Sequence, residues 1–214
     1  MQSHSRLLVP IILLLSLFLS GCSPSGSEDR LHEGTLSFED RERTYLLYRP
    51  EALPAGAPLV MVLHGFTGNA RDIMAYTGMN AIAAREGFVV VYPQGSEDHE
   101  GRTFWQVGYD FHAQLERDDV GFLLALSRQL QQTHGFSPEQ TFLTGMSNGG
   151  DMSFLMACQH PEAFRAIAPV AGVMMSAYLE ACRPALPLMA IFGTADSTSL
   201  YAGDRENRDG WGGI

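Results

Sequence analysis

Residues 145–149 read Gly-Met-Ser-Asn-Gly and carry the strongest chemical signal in the sequence. They follow a short apolar run, residues 141–144, and precede a helix-compatible stretch, residues 150–157. A glycine-flanked serine between a strand and a helix is typical of a nucleophile elbow, because the tight turn leaves little room for side chains two positions to either side. We therefore predict that Ser147 is a nucleophile for acyl transfer. The alternative is an ordinary strand-to-helix turn.

A serine hydroxyl needs donors for the oxyanion that forms when it attacks an acyl group. Asn148 follows the serine at a predicted helix N-terminus, so its backbone amide is one candidate donor. The second donor is expected from the glycine-rich loop after the apolar run 59–63, where Phe66 or Thr67 supplies the amide.

An acid that orients the base is expected downstream of the serine, in the order serine, acid, histidine. Asp196 lies just beyond the apolar run 188–192 and fits that position. The alternative for an aspartate after a strand is a simple turn former.

The N-terminus is predicted to be a targeting segment. An arginine precedes the apolar run 7–19, which is too short for a membrane-spanning helix and suits a secretory signal. Residues 19–22 read Leu-Ser-Gly-Cys and resemble a bacterial lipobox. We predict a lipoprotein signal peptide over 1–21, lipid on Cys22 and a polar tether over 22–34. The alternative is an ordinary signal peptide with a chance cysteine.

Residues 35–214 have the length of one domain, and their charge restricts the partners of the protein. The formal net charge of −10 argues against nucleic acid and against electrostatic docking on anionic lipid. We expect an exported protein that is held at the bacterial cell envelope by its lipid alone. No cofactor or metal is expected.

The chain has three cysteines. If Cys22 carries lipid, Cys158 and Cys182 are the natural disulfide pair in an oxidising compartment. Two buried free thiols are the alternative, which the sequence leaves open.

Apolar runs and turn residues predict alternating strands and helices. The expected strands are 44–48 at a sheet edge, 59–63, 88–92, 141–144, 166–170 and 188–192, and the expected helices are 79–86, a helix capped by Asp118 that runs to about Thr133, and 150–157. Residues 97–116 are expected to form a long irregular loop. This alternation favours an α/β fold, a mostly parallel sheet with helices on both faces.

Several motifs occur together in a fixed order. They are 63–65 (LHG), 91–93 (VYP), 118–122 (DDVGF), 145–150 (GMSNGG), 168–172 (APVAG) and 192–196 (FGTAD). Over about residues 45–203 the ordered set is similar to the bacterial polyhydroxybutyrate depolymerase and feruloyl esterase group of α/β-hydrolases.

The resemblance implies an α/β-hydrolase sheet and carboxylic ester hydrolysis through an acyl-enzyme, with Ser147 as nucleophile and Asp196 as acid. The substrates implied are feruloyl or acetyl esters of polysaccharides, or hydroxyalkanoate esters, as small molecules or polymers. It also implies that Cys158 pairs with Cys182. The substrate cleft is expected beside His64 and Trp105, although Trp105 fits a packing role equally well.

One feature departs from the family pattern. Its histidine base lies well downstream of the acid, but no histidine follows Asp196 in these 214 residues. His64 belongs to the oxyanion loop, or caps a strand-end turn, while His99 and His112 lie in the long loop. We therefore expect a C-terminally incomplete, nearly inactive serine esterase. The alternatives are a non-catalytic envelope binding lipoprotein and, more weakly, a serine peptidase or thioesterase of the same fold.

Overall fold

The computed structural model describes residues 30–179, 182 and 186–211. The predicted signal peptide, the lipidation site Cys22 and most of the predicted tether lie outside these residues. Their assignment stays a prediction.

Eight strands and five α-helices make up the described fold. In chain order they are β1 Leu31–Phe38, β2 Arg41–Tyr48, β3 Leu59–Leu63, α1 Ala70–Thr77, α2 Met79–Glu86, β4 Val89–Pro93, β5 Ser96–Glu97, β6 Thr103–Phe104, α3 Asp119–His134, β7 Thr141–Met146, α4 Asn148–Gln159, β8 Ala166–Val170 and α5 Ser176–Leu179. None of the helices in the described part of the chain is long and apolar enough to cross a membrane.

The main sheet has six strands in the order β1-β2-β4-β3-β7-β8. Strands β4, β3, β7 and β8 run parallel, whereas β1 and β2 form an antiparallel hairpin that joins β4. Strands β3 and β7 are neighbours at the centre of the sheet. From β3 the chain continues to β4 on one side of this pair, and from β7 it continues to β8 on the opposite side. Ligands of open parallel sheets bind at such a switch point, beyond the carboxyl ends of the strands.

The side chains of β3 show why the sheet is buried on both faces. Leu59, Met61 and Leu63 enter the core cluster that includes α3 and α4, whereas Val60 and Val62 belong to the cluster that includes α1 and α2. Successive side chains of a strand point to opposite faces, so a continuous apolar run suits a central strand with helices on both sides. The predicted mostly parallel sheet with helices on both faces is confirmed.

Two strand predictions need correction. Residues 44–48 are not at an edge, since β2 lies between β1 and β4. Strand β1 occupies the edge and begins at Leu31, so residues 31–34 are part of the fold and the tether was predicted too long. Apolar and polar residues alternate only partly along β1, as its burial does. The sequence of β1 therefore carried no clear strand signal.

The predicted strand 188–192 is reduced to two parallel bridges. Leu188 pairs with Ile167 of β8, and Ile191 pairs with Val170. The ladder of this segment is incomplete for two reasons. Residue 187 is a proline, which lacks an amide donor, and within the described chain the segment pairs with β8 alone.

The predicted irregular loop 97–116 is largely fixed in place. It contains the end of a two-stranded ribbon, β5 and β6, and a short 3-10 helix at Asp110–His112. Phe104, Trp105 and Tyr109 are buried, so apolar packing holds the loop against the body of the sheet.

Candidate functional site

Ser147 lies at the junction of β7 and α4, at the carboxyl edge of the sheet. Its backbone has φ 53° and ψ −122°, a conformation that residues with a side chain rarely adopt. Its amide donates to Val170 O of the neighbouring strand at 2.9 Å, which fixes the turn. This strained strand-to-helix geometry is the one predicted for a nucleophile elbow.

The two flanking glycines are required by close backbone contacts. A Cβ on Gly145 would lie 2.4 Å from Gly149 O, and one on Gly149 would lie 2.6 Å from both His64 O and Leu63 O. These approaches are shorter than any van der Waals contact, so neither position accepts a side chain. The glycine spacing in the sequence therefore reflects packing of the elbow against the end of β3.

The loop after β3 faces the serine. A Cβ on Gly65 would lie 3.4 Å from Ser147 Cβ and 4.0 Å from its Oγ, so the loop backbone adjoins the hydroxyl. The Thr67 amide already donates to Thr103 O at 2.7 Å, whereas no hydrogen bond of the Phe66 amide occurs within the described chain. Of the two donors expected from this loop, Phe66 is therefore the better placed.

The side chain of Asn148 forms part of the support below the serine. Its Oδ1 accepts from the Trp105 amide at 2.7 Å, and its Nδ2 donates to Trp105 O at 3.0 Å. The indole Nε1 of Trp105 then donates to His64 O at 2.9 Å. This chain of bonds joins the nucleophile helix, the long loop and the oxyanion loop, and leaves the backbone amide of Asn148 as the group available to an oxyanion.

His64 and Trp105 do not line an open cleft, contrary to expectation. They are 1% and 0% exposed, and their rings pack at 5.0 Å between centroids. Their role in this structure is to support the loop beneath the serine. The alternative packing role considered for Trp105 fits the structure.

Both ring nitrogens of His64 are engaged. The Gly95 amide donates to Nε2 at 2.9 Å, so Nε2 is unprotonated, and Nδ1 therefore donates to Gly65 O at 2.8 Å. Burial lowers the pKa of His64, which favours this neutral form. His64 thus orients the Gly65 carbonyl and is not placed to act as a base.

Asp196 lies near the carboxyl edge of the sheet, five positions after the Ile191 bridge to β8. Its Oδ1 accepts from the amides of Thr198 and Ser199 at 2.8 and 2.9 Å. These bonds fix a turn, as the alternative interpretation required. These two bonds use only Oδ1 and leave the second carboxylate oxygen, Oδ2, out of the turn. The role of Asp196 as acid stays a prediction.

Within the described residues, no hydrogen bond joins a histidine to Ser147 or Asp196. His112 is 1% exposed and lies 3.4 Å from Asp98 Oδ2. His99 is exposed beside the turn of the β5–β6 ribbon. The structure therefore brings together the predicted nucleophile and oxyanion donors, but it adds no base to them.

The predicted pairing of Cys158 with Cys182 is confirmed by a disulfide bond. It links the C-terminal end of α4 to the segment that follows α5. Because α4 begins directly after Ser147, the bond anchors the far end of the helix that follows the strained turn.

Sequence reasoning missed two buried carboxyl groups close to the site, Asp119 and Asp151. Asp119 accepts from Arg43 and Ser96 at 2.8 Å and from the Gln106 amide at 2.8 Å, which ties α3 to β2 and to the long loop. An acidic residue on the apolar face of a predicted helix was the available signal. Asp151 is treated below.

No cluster of three or more histidine, cysteine, aspartate or glutamate residues suited to a metal ion occurs in residues 30–179, 182 and 186–211.

Comparisons with known proteins agree with this geometry. The family model described as esterase PHB depolymerase matches residues 43–204, more than half of the chain. Poly(3-hydroxyalkanoate) depolymerase C of Paucimonas lemoignei is 32% identical over 126 residues, which cover 58% of this chain and 30% of that protein. Feruloyl esterase D of Neurospora crassa is 25% identical over 227 residues, covering 96% and 74%.

Solved structures show the same architecture. The acetyl xylan esterase from Aspergillus awamori matches with a TM-score of 0.55 at 25% identity, over 67% of this chain and 52% of that one. A thermostable esterase matches with a TM-score of 0.63 at 17% identity, over 81% and 49%, and shares the fold. The chain spans about half the length of several relatives, including 48% of the candidate esterase NocK of Nocardia uniformis subsp. tsuyamanensis, which is 33% identical over 76% of this chain.

Proposed function

Because the chain belongs to the PHB depolymerase family of esterases, we propose that it is a carboxylic ester hydrolase that works through an acyl-enzyme on Ser147. The observation that carries the proposal is the strained turn at Ser147. Two glycines that leave no room for a side chain allow this turn to pack against the loop after β3. Family membership alone would not assign the chemistry, since one fold hosts many functions.

The proposed reaction begins with attack of Ser147 Oγ on the ester carbonyl carbon. The carbonyl oxygen becomes an oxyanion, to which the backbone amides of Asn148 and Phe66 donate. Preorganised donors of this kind are worth roughly 10²–10³ in kcat each. Collapse of the intermediate releases the alcohol and leaves an acyl-serine ester, which water then hydrolyses to the acid and free Ser147.

The attack requires a base to accept the serine proton, with Asp196 as its orienting acid. His64 is committed to Gly65 and Gly95, and His112 to Asp98. We therefore expect the 214-residue chain to turn over esters weakly. An oxyanion hole and binding without a complete triad typically leave ~10³–10⁴-fold acceleration over water.

The names of the relatives support two substrate classes. One is the acetyl or feruloyl ester of a polysaccharide, as in the acetylxylan and feruloyl esterases, and the other is a hydroxyalkanoate ester, as in the depolymerase. We propose that the chain acts on one of these classes. A non-catalytic binding lipoprotein, the alternative from the sequence, is disfavoured, because the relatives named above are esterases and a depolymerase.

The test is covalent labelling with a fluorophosphonate probe, read by mass spectrometry of the peptide that contains Ser147. We expect slow labelling of the parent chain and none of Ser147→Ala. Residual turnover of p-nitrophenyl acetate should disappear in the same variant. His99→Ala and His112→Ala serve as controls, and turnover of ordinary esterase magnitude that either one abolishes would show that a loop histidine is the base. Labelling that persists in Ser147→Ala would contradict the assignment.

We also propose that the protein is exported and anchored by lipid on Cys22. Expressed in a bacterial host, the full chain should partition with detergent and membranes, whereas Cys22→Ala should remain in the aqueous phase. A Cys22→Ala form that still partitions with membranes would overturn the anchor and leave the proposed reaction untouched.

A further inference from the structure

Asp151 lies one helical turn beyond Ser147 on α4 and is 3% exposed. Its amide donates to Ser147 O at 2.9 Å, so its backbone belongs to the elbow. Its side chain reaches two other segments. The Val173 amide donates to Oδ1 at 2.6 Å, and the Tyr109 hydroxyl hydrogen-bonds with Oδ2.

A third segment closes the same group of contacts. Tyr178 of α5 donates to Asp151 O at 3.3 Å and approaches Val173 O at 3.4 Å. The helix N-terminus, the long loop and the segment after β8 therefore meet at one buried carboxyl group. Beside it, a Cβ on Gly172 would lie 2.6 Å from Gly150 C, so the segments are already in close contact.

The environment of this carboxyl group is unusual. A buried aspartate normally has a cationic partner, but within the described residues the polar partners of Asp151 are neutral groups. Packing alone would be served better by an apolar side chain. A buried carboxyl group that accepts hydrogen bonds from two other segments points to a positioning role.

We propose that Asp151 is a positioning residue whose carboxyl group holds the Tyr109 loop and the Val173 segment against the helix that begins after Ser147. The inference rests on the proposed function, since positioning matters because Ser147 reacts. Neither Tyr109 nor Val173 needs to touch the substrate for this role.

The direction of the pH effect follows from burial. Burial raises the pKa of Asp151 to about 7, although the bonds from Tyr109 and Val173 lower it. The titratable groups that face it are Tyr109 and Tyr178, whose own pKa values burial raises above the ordinary range. In an opened state Asp151 would titrate near its ordinary value of about 4. The packing of the three segments around Asp151 should therefore become less stable as pH rises from about 4 to about 7, and it should change little above that range.

The test is hydrogen exchange, which requires no turnover. After correction for intrinsic rates, protection of peptides covering 145–156 and 171–178 in the parent chain should fall as pH rises from 5 to 7. Asp151→Asn keeps an acceptor for Val173 and a polar contact to Tyr109, so it should retain protection and lose the pH dependence. Tyr109→Phe should reduce protection of both peptides by roughly tenfold, the value of one hydrogen bond. Asp40→Asn, at an exposed turn between β1 and β2, is the matched control and should change nothing.

A second readout separates this inference from the proposed reaction. Ser147-dependent labelling should be slower in Tyr109→Phe than in the parent chain, whereas Asp151→Asn should label at a rate close to that of the parent at pH 5 and with a flatter pH profile. Exchange results as predicted, without any labelling, would support the positioning role and contradict the esterase. Unchanged protection in Tyr109→Phe would overturn the role of Asp151, whereas flat pH dependence of protection in the parent chain would overturn its titration in this range.

Discussion

At the residue scale, the strained backbone of Ser147 is the clearest functional feature. A positive φ costs a serine free energy that the surrounding contacts must offset, and such outliers cluster at active sites. Here the strain lies in the backbone of Ser147, beside the close approach of Gly149 to the end of β3, whereas nucleophilic attack would need the hydroxyl. Stability and reactivity at this position should therefore be separable.

Substitution of Ser147 tests that separation. Ser147→Gly should relieve a strain of about 1–3 kcal/mol, less a glycine entropy cost of roughly 0.5–1 kcal/mol, so we expect it to be about 1 kcal/mol more stable than Ser147→Ala. Both variants lose the hydroxyl, which makes alanine the matched control. The free energy of unfolding in urea decides the result, and equal stabilities would mean that the turn is not strained.

At the element scale, α4 is the element on which the site depends. It begins directly after Ser147, packs on β7 and β8, and carries Cys158 in its last turn. The disulfide from Cys158 to Cys182 closes a loop with a sequence separation of 24. Both ends of the helix are therefore held by contacts outside the helix. This arrangement keeps the first-turn amides in register with the oxyanion loop.

Loss of the disulfide should destabilise this element. Closing a loop of that length stabilises a fold by about 3 kcal/mol in the chain-entropy model. Cys158→Ala combined with Cys182→Ala should lower the free energy of unfolding by that order. The control is a reductant. It should lower the free energy of unfolding of the parent chain to that of the double variant, and it should leave the double variant unchanged. A parent chain that is indifferent to reductant would show that the bond contributes little.

At the scale of the whole molecule, the sheet has unequal edges. One edge is formed by β1, the outer strand of the hairpin with β2. At the other, residues 187–192 contact β8 on one side, and no strand of the described chain pairs with their other side. Leu188, Met189, Ile191 and Phe192 are 51%, 63%, 49% and 41% exposed. An open apolar edge of this kind favours association between molecules.

A charge at this edge should reduce association. Met189→Lys adds a positive charge on an already exposed side chain, so we expect slower aggregation in light scattering with little change in melting temperature. Tyr76→Lys, at a position on α1 that is also largely exposed, is the control and should not slow aggregation. Equal effects of the two variants would attribute aggregation to net charge and not to the edge.

The sequence by itself determined the local features. Glycine spacing around Ser147 predicted the elbow, continuous apolar runs predicted β3 and β4, and Asp118 predicted the start of α3, where its side chain accepts from the Gly121 amide at 2.7 Å. These features depend on neighbours within a few positions, whose steric limits and periodicity can be read directly from residue types.

Tertiary structure alone decided which groups meet. The sequence could not distinguish the amides of Phe66 and Thr67 as candidate donors, and the bond from the Thr67 amide to Thr103 O leaves Phe66 as the better-placed candidate. Trp105 became a support because Asn148 binds its backbone. Asp151 gained its role from Tyr109, which lies 42 positions away in the chain. Such pairings depend on how sheet and loops fold together, and no local pattern records them.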